Sequence, residues 1–228
     1  LSDLDFEVIV VDDDSPDLTW QVAQNLGLLN SRIKTIRRLN KKGLSSAAMS
    51  GMMESSGKVI AVMDADMQHD ENILLALYER VRGGHCDICI GSRAVKKGGY
   101  RNMTAGRRFA SNLAKYLAKI ALRTTVKDPM SGFFALSRDY YRNTMNGVNL
   151  SGFKILLEFI VRGDSPKLNE IGYVFKKRVF GKTKLNASIT LEYLLALIDL
   201  RFGWFVPNRF VKFCIVGVSG SLINFLCF

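Results

Sequence analysis

Apolar residues run almost unbroken from Phe6 to Val11, stop on Asp12-Asp13-Asp14, and give way to Ser15-Pro16. The run predicts a buried strand, and Ser15 and Pro16 predict an N-cap and first turn for a helix reaching Gly27. The same alternation repeats downstream. "RIKTIRR" reads as a strand, "GLSSAAMSGMMESS" as a helix rich in small residues, and "KVIAVMDAD" as a strand. "ENILLALYERVR" is a helix with apolar positions at 73, 74, 77 and 81, and "CDICIGSR" is another strand. Continuously apolar strands alternating with helices predict an α/β fold with a mostly parallel sheet covered on both faces. Ligands of such sheets bind beyond the carboxyl ends of the strands, where both acidic clusters of this chain fall.

After Arg93 the pattern changes. "AVKKGGYRNMT" is a basic loop, and "AGRRFASNLAKYLAKIALR" is an amphipathic helix. Its apolar stripe is Phe109, Leu113, Tyr116, Leu117 and Ile120; its basic stripe of Arg108, Lys115, Lys119 and Arg123 suits a solvated face or a membrane surface equally. "DPMSGFFALSR" is a turn entering a strand, "SGFKILLEFIVRG" a helix with Lys154 and Glu158 four residues apart, and "EIGYVFKKRVFGKTKL" a strand and basic loop. "NASITLEYLLALIDLRFGW" reads as an interface helix. Phe210 to Phe228 carries one charge, at Lys212. A core helix would fit that stretch, but its length and the preceding Arg201 and Arg209 favour a membrane helix with the preceding domain on the cytoplasmic side.

The 228 residues, 48% of them hydrophobic and 23% charged, describe a globular chain. A net charge of +11 asks for an acidic partner: nucleic acid, a phosphate ligand or an anionic membrane. The basic residues lie on a loop and an amphipathic helix without alternating exposed aromatics, which argues against nucleic acid. Four cysteines, Cys86, Cys89, Cys214 and Cys227, suggest no disulfide framework. Cys86 and Cys89, three apart on an expected strand, should face opposite ways as small core residues. No signal peptide is expected, since Leu1 opens directly on a polar turn and a strand.

Asp64, Asp66 and Gln68 present hard oxygen donors at a strand end, which suit Mg²⁺ or Mn²⁺. The alternative is a capping network for the following helix, with Asp70 as the cap. Asp12 to Asp14 could likewise cap a helix or accept hydrogen bonds from a base or ribose.

Taken in order, "VVDDDSPD", "GLSSAAMSG", "VMDADMQHDE", "GSR", Arg107 and Ser111 in R-x-x-x-S spacing, "DPMSGFFALSR", "GFKILLE" and "FKKRVFGKTKL" resemble the family 2 glycosyltransferases of GT-A fold. Within them the series is similar to the dolichyl- and polyprenyl-phosphate sugar synthases, over Asp5 to Leu185. "RFVKFCIVGVSGSLINF" resembles the start of a GtrA-like membrane domain. The resemblance implies a catalytic domain over 1–185, an interface helix and linker over 186–208, and a truncated transmembrane segment over 209–228. It implies that Asp64, Asp66 and Gln68 hold the divalent ion, with Asp64 and Asp66 at the nucleotide-sugar, and that Asp12 and Asp14 contact the nucleoside. Arg107, Ser111, Ser131, Arg178 and Lys184 would bind the acceptor phosphate, Arg93 would stand near them, and Asp66, Arg107, Arg178 and Lys184 would be catalytic. Thr183 stands where many relatives have serine and keeps the hydroxyl. His69 and His85 are expected to be structural.

The implied reaction is inverting transfer of a hexose, mannose from GDP-mannose, to a dolichyl or polyprenyl monophosphate at the cytoplasmic membrane face. Alternatives are a polyprenyl-phosphate glucosyl- or aminosugar transferase with a UDP donor, and an inactive membrane-anchored nucleotide-binding subunit. A nucleotidyltransferase would need a glycine- and lysine-rich phosphate loop, which this sequence does not display. The family pattern also begins with a strand and helix that precede Leu1. A sheet without that central strand is expected to have unpaired edges and an exposed apolar slot.

Overall fold

The computed structural model describes residues 4–95, 99–100, 126–150, 155–176, 213 and 217. The chain divides into two compact units, one of 1–107 with 126–180 and one of 108–125 with 181–228. All elements below belong to the first. In chain order they are β1 (Val8–Asp12), α1 (Thr19–Leu29), β2 (Ile33–Arg37), α2 (Leu44–Glu54) and β3 (Val59–Val62). A 3₁₀ turn (Glu71–Ile73), α3 (Leu74–Arg82), β4 (Ile88–Ser92), β5 (Gly99–Tyr100), β6 (Phe134–Ser137) and α4 (Arg138–Thr144) follow. A second 3₁₀ turn (Met145–Gly147), α5 (Ile155–Arg162), β7 (Leu168–Gly172) and β8 (Val174–Phe175) complete the set.

Three of the five strand pairings among the described residues are parallel: β1 with β2, β4 with β7, and β5 with β8. Strand β6 runs antiparallel between β3 and β4, giving a four-stranded order β3-β6-β4-β7. This is the mixed α/β, mostly parallel arrangement expected. Among the described residues β1 pairs only with β2, and β3 only with β6, so each keeps an edge without a strand partner.

The two-residue period of the strands builds a core on each sheet face. Ile88, Ile90, Phe134 and Leu136 pack with Met49, Met52, Tyr141, Leu156 and Phe159 from α2, α4 and α5. The alternate positions Cys89, Phe133 and Ala135 pack with Leu77 and Val81 of α3 and with Tyr173. Truncating a fully buried aromatic such as Phe134 or Phe159 to alanine costs about 3–5 kcal/mol by lost transfer energy and cavity formation. Ser137 caps α4 by accepting from the Tyr140 N–H, and Arg138 ties that helix start to Gly57 and Ser55.

Several local expectations are corrected. Ser15 does not cap α1: its own N–H donates to Asp12 Oδ1 at 2.7 Å, and Leu18 folds back to the Ser15 carbonyl in a turn. The helix starts at Thr19, after Leu18 with φ +60°, and passes Gly27 to end at Leu29. Cys86 and Cys89 do not diverge, because β4 begins only at Ile88 and Cys86 sits in the turn before it. The Cys89 thiol donates to the Cys86 sulfur, lowering the Cys86 pKa, while the same contact and burial raise that of Cys89. Both are buried core residues, as the sequence reading held. Lys154 lies outside the described residues, and Glu158 pairs with Arg162 one turn on, at 3.4 Å, while accepting from the Asn149 N–H.

Among the described residues no helix is long and apolar enough to cross a membrane. The helices expected at 105–122 and 187–203 lie outside the described residues, as does the terminal apolar segment apart from Phe213 and Gly217.

Candidate active site

Strand β3 stops at Val62, and the chain turns through Asp64, Asp66 and Gln68 toward α3. Met67 adopts φ +59°, which bends the backbone sharply between Asp66 and Gln68. Asp66 Oδ1 accepts from the Gln68 N–H at 3.2 Å. Gln68 is clasped to the end of β8: its side-chain Nε2 donates to the Lys176 carbonyl at 3.1 Å, and its own carbonyl accepts from the Lys176 N–H at 2.9 Å. Giving the amide nitrogen to a carbonyl determines which end of the side chain is the oxygen. Lys176 also pairs with Glu71 at 2.9 Å, which raises the lysine pKa and lowers that of Glu71 through a charged hydrogen bond. Asp70 caps the 3₁₀ turn by accepting from the Asn72 N–H, as the capping alternative for this cluster had it.

Asp64 is held differently. Its Oδ2 lies 3.4 Å from His69 Nε2, and the opposite ring nitrogen, Nδ1, is 2.7 Å from the Tyr173 hydroxyl. His69 is 5% exposed and ringed by Phe133, Tyr173 and Phe175 at centroid distances of 5.2 to 5.7 Å. On the other side the carboxylate rests against Gly132. A Cβ there would lie 2.8 Å from Asp64 Cγ and closer still to Oδ2, so only glycine leaves the carboxylate where it is.

The loop carrying Gly132 is itself fastened by a buried network. Asp128, fully buried, accepts the Arg93 guanidinium through both oxygens, at 2.7 and 2.8 Å, and the Arg93 N–H at 3.0 Å. Glu170 on β7 accepts the N–H groups of Lys127 and Asp128 at 2.9 and 3.0 Å. Ser131, also buried, donates its hydroxyl to the Gly91 carbonyl at 2.6 Å and accepts from the Phe133 N–H at 3.1 Å. An acceptor-phosphate role for Ser131 would require this hydroxyl to leave those bonds, and one for Arg93 would compete with its fork on Asp128. A small cleft of about 60 Å³ opens beside Asp64, lined by Leu44, Ala48, Val62, Met130, Gly132 and Ile155 among others.

The first acidic cluster ends β1. Parallel register sets Asp12 beside Arg37 of β2. Asp12 is buried and holds the Ser15 N–H; Asp13 takes Arg38 at 2.6 Å and the Gly43 N–H at 2.9 Å; Asp14, with φ +60°, takes Arg37 at 2.6 Å. The Arg37 guanidinium also lies 3.7 Å from the Trp20 ring centroid, a close cation–π stack.

Arg107, Ser111, Arg178 and Lys184 lie outside the described residues. Among the described residues no three His, Cys, Asp or Glu side chains converge as a metal cluster; Asp64, Asp66 and Gln68 share the turn after β3, where the Gln68 N–H joins Asp66. The contacts of His69, Tyr173 and Gly132 around Asp64 were not foreseen from the sequence, which gave His69 only a structural role. A histidine beside two carboxylates was a visible signal, whereas Tyr173, 104 residues further on, carried none.

Comparison with known proteins bears on this arrangement. The model of glycosyl transferase family 2 matches residues 1–144, which include both acidic clusters and the Asp128–Gly132 loop. The chain belongs to glycosyl transferase family 2. Among family 2 relatives, the dolichol-phosphate mannosyltransferase of Pyrococcus furiosus is 43% identical over 228 residues, covering 98% of this chain and 63% of the relative. This chain thus spans less than two thirds of that protein's length. The Saccharomyces cerevisiae dolichol-phosphate mannosyltransferase is 32% identical over 214 residues, covering 91% of this chain and 79% of the relative. The fold is that of GT-A glycosyltransferases. Glucosyl-3-phosphoglycerate synthase from Mycobacterium tuberculosis, in complex with Mn²⁺, UDP and glucosyl-3-phosphoglycerate, superposes with a TM-score of 0.59 at 16% identity, covering 86% of this chain and 68% of that one.

Proposed function

We propose that this chain transfers mannose from GDP-mannose to a dolichyl or polyprenyl monophosphate, with inversion, at the cytoplasmic face of a membrane. The observation that carries the reading is the set Asp64, Asp66 and Gln68 at the end of β3, with Asp64 seated on Gly132, in a chain 43% identical to a dolichol-phosphate mannosyltransferase. The oxygen-only donors fit a hard divalent cation, Mg²⁺ or Mn²⁺, better than zinc. Bound there, the ion supplies Lewis-acid stabilisation of charge on the leaving diphosphate.

The chain's own residues do the rest. Asp12 and Asp14 flank the nucleoside. Arg107, Arg178 and Lys184 bring two anionic substrates together by charge-assisted hydrogen bonds. An acceptor phosphate oxygen attacks the anomeric carbon from the face opposite the diphosphate; the new C–O bond forms as the bond to the diphosphate oxygen breaks. That oxygen is already anionic near neutral pH, so no general base is required and catalysis is positioning plus charge neutralisation. A polyprenyl acceptor stays in the bilayer, which suits the basic amphipathic sequence pattern of 105–122 and the apolar stretches after 186.

The test is incubation of the chain with labelled GDP-mannose or UDP-glucose, vesicles carrying dolichyl phosphate, and Mg²⁺ or Mn²⁺. The expected result is metal-dependent label in the lipid phase from GDP-mannose alone. Transfer from UDP-glucose alone would move the assignment to the glucosyl type. No lipid product from a folded chain would overturn it.

A further inference from the structure

Asp64 is a short side chain on a post-strand turn, and two things about its surroundings stand out. Among the described residues it makes no pair with lysine or arginine, unlike Asp13 and Asp14 of the first cluster, which are each bound to an arginine. Its hydrogen-bonding neighbour is instead an imidazole from a buried aromatic box. A carboxylate only accepts hydrogen bonds, so in this contact Nε2 carries the proton, and the opposite ring nitrogen meets the Tyr173 hydroxyl. The Tyr173 hydroxyl, 2.7 Å from Nδ1, braces the ring on the side away from Asp64.

Four separate elements meet to make this arrangement. Asp64 follows β3, His69 precedes the 3₁₀ turn, Tyr173 sits between β7 and β8, and Gly132 leads into β6. Phe133 and Tyr173 meet edge to face, 5.8 Å between centroids, which fixes the box walls against each other. The imidazole therefore cannot follow the carboxylate; the carboxylate is held to the imidazole. The 3.4 Å separation is longer than a mature N–H···O bond, and such contacts tighten when a site is loaded.

We propose that His69, braced by Tyr173, is a positioning residue that aims the Asp64 carboxylate at the divalent cation. The inference rests on the metal role given to Asp64 under the proposed function. It assigns His69 and Tyr173 to the site rather than to packing alone. Partners that orient a ligand from behind are worth about 10- to 100-fold in metal affinity when removed.

The experiment is a Mn²⁺ titration of the full chain in the presence of GDP, following the free Mn²⁺ signal by electron paramagnetic resonance, with a thermal melt of every variant. The parent, Asp66→Asn, His69→Leu, His69→Gln and Tyr173→Phe are compared. Binding by the parent that disappears in Asp66→Asn upholds the metal reading. On that background His69→Leu should weaken Mn²⁺ by about tenfold or more. His69→Gln, whose amide N–H can replace Nε2, should recover part of the loss. Tyr173→Phe, which removes one oxygen and leaves the ring, should weaken Mn²⁺ with little change in melting. Unchanged Mn²⁺ affinity in folded His69→Gln and Tyr173→Phe, with the parent still binding, would overturn the positioning role and leave the metal reading intact. If the parent binds no Mn²⁺, the metal reading itself fails and takes this inference with it. Should His69→Leu not fold, the other two variants decide.

Discussion

The chain ends two strands on clustered carboxylates, and it treats the two clusters in opposite ways. After β1, each carboxylate already has a protein partner: Asp12 a turn amide, Asp13 Arg38 and Gly43, Asp14 Arg37. After β3, Asp64 is bounded by a histidine and by a glycine that leaves room for it. Charge compensated by arginine fastens one strand to its neighbour and stabilises the fold. Asp64, by contrast, meets no lysine or arginine among the described residues. Two D-x-D patterns that look alike in sequence are thus separated by what stands behind them.

The comparison makes predictions of decreasing size. Asp66→Asn should lower lipid mannosylation by at least about 10²-fold, since it removes a ligand of an ion worth several kcal/mol at the transition state, without a matching loss of melting temperature. Radiolabel transfer and a thermal melt check it. Gly132→Ala forces Asp64 off its seat, so it should reduce Mn²⁺ affinity by about tenfold and destabilise by about 1–3 kcal/mol through overpacking. A Mn²⁺ titration beside a urea melt reads both.

Arg38→Ala tests the other cluster. It strands Asp13 beside a buried gap, and a drop of about 3 kcal/mol is expected, toward the low end for broken buried pairs because Asp13 keeps some solvent. Mn²⁺ affinity should not change. The smallest effect concerns Glu7, whose carboxyl is lowered from 4.5 to about 2 by hydrogen bonds from the Ser56 hydroxyl and N–H and by Lys34. Because the folded value lies below the unfolded one, Glu7 contributes its full stability above about pH 4.5 and loses it as pH falls toward 2. Glu7→Gln should flatten that part of a stability–pH curve measured by urea melts, and leave the region above pH 5 parallel to the parent.

Much of this was legible in the sequence. Apolar runs and helical spacing located the strands and helices from β1 to β4, because burial on both sheet faces writes itself as continuous hydrophobicity. The oxygen donors of Asp64, Asp66 and Gln68 were visible as a local spacing at a strand end. Hydrogen bonding decided what local pattern could not. Ser15 looked like a cap until Asp12 claimed its N–H, and Leu18 in the left-handed region moved the helix start to Thr19. Cys86 and Cys89 meet because β4 begins two residues later than its apolar run. Ser131 stands in a family motif, yet its hydroxyl closes the loop that seats Gly132. The His69–Tyr173 pair spans 104 residues, and no window along one chain reveals such a contact.

The cluster after β3 is proposed to hold a cation for a nucleotide diphosphate. The most direct test is calorimetric titration of the chain with GDP and with UDP, each with and without Mn²⁺. The expected result is GDP binding that appears with Mn²⁺ and vanishes in Asp66→Asn. Binding of GDP that is indifferent to Mn²⁺, or none at all by a chain that melts cooperatively, would contradict it.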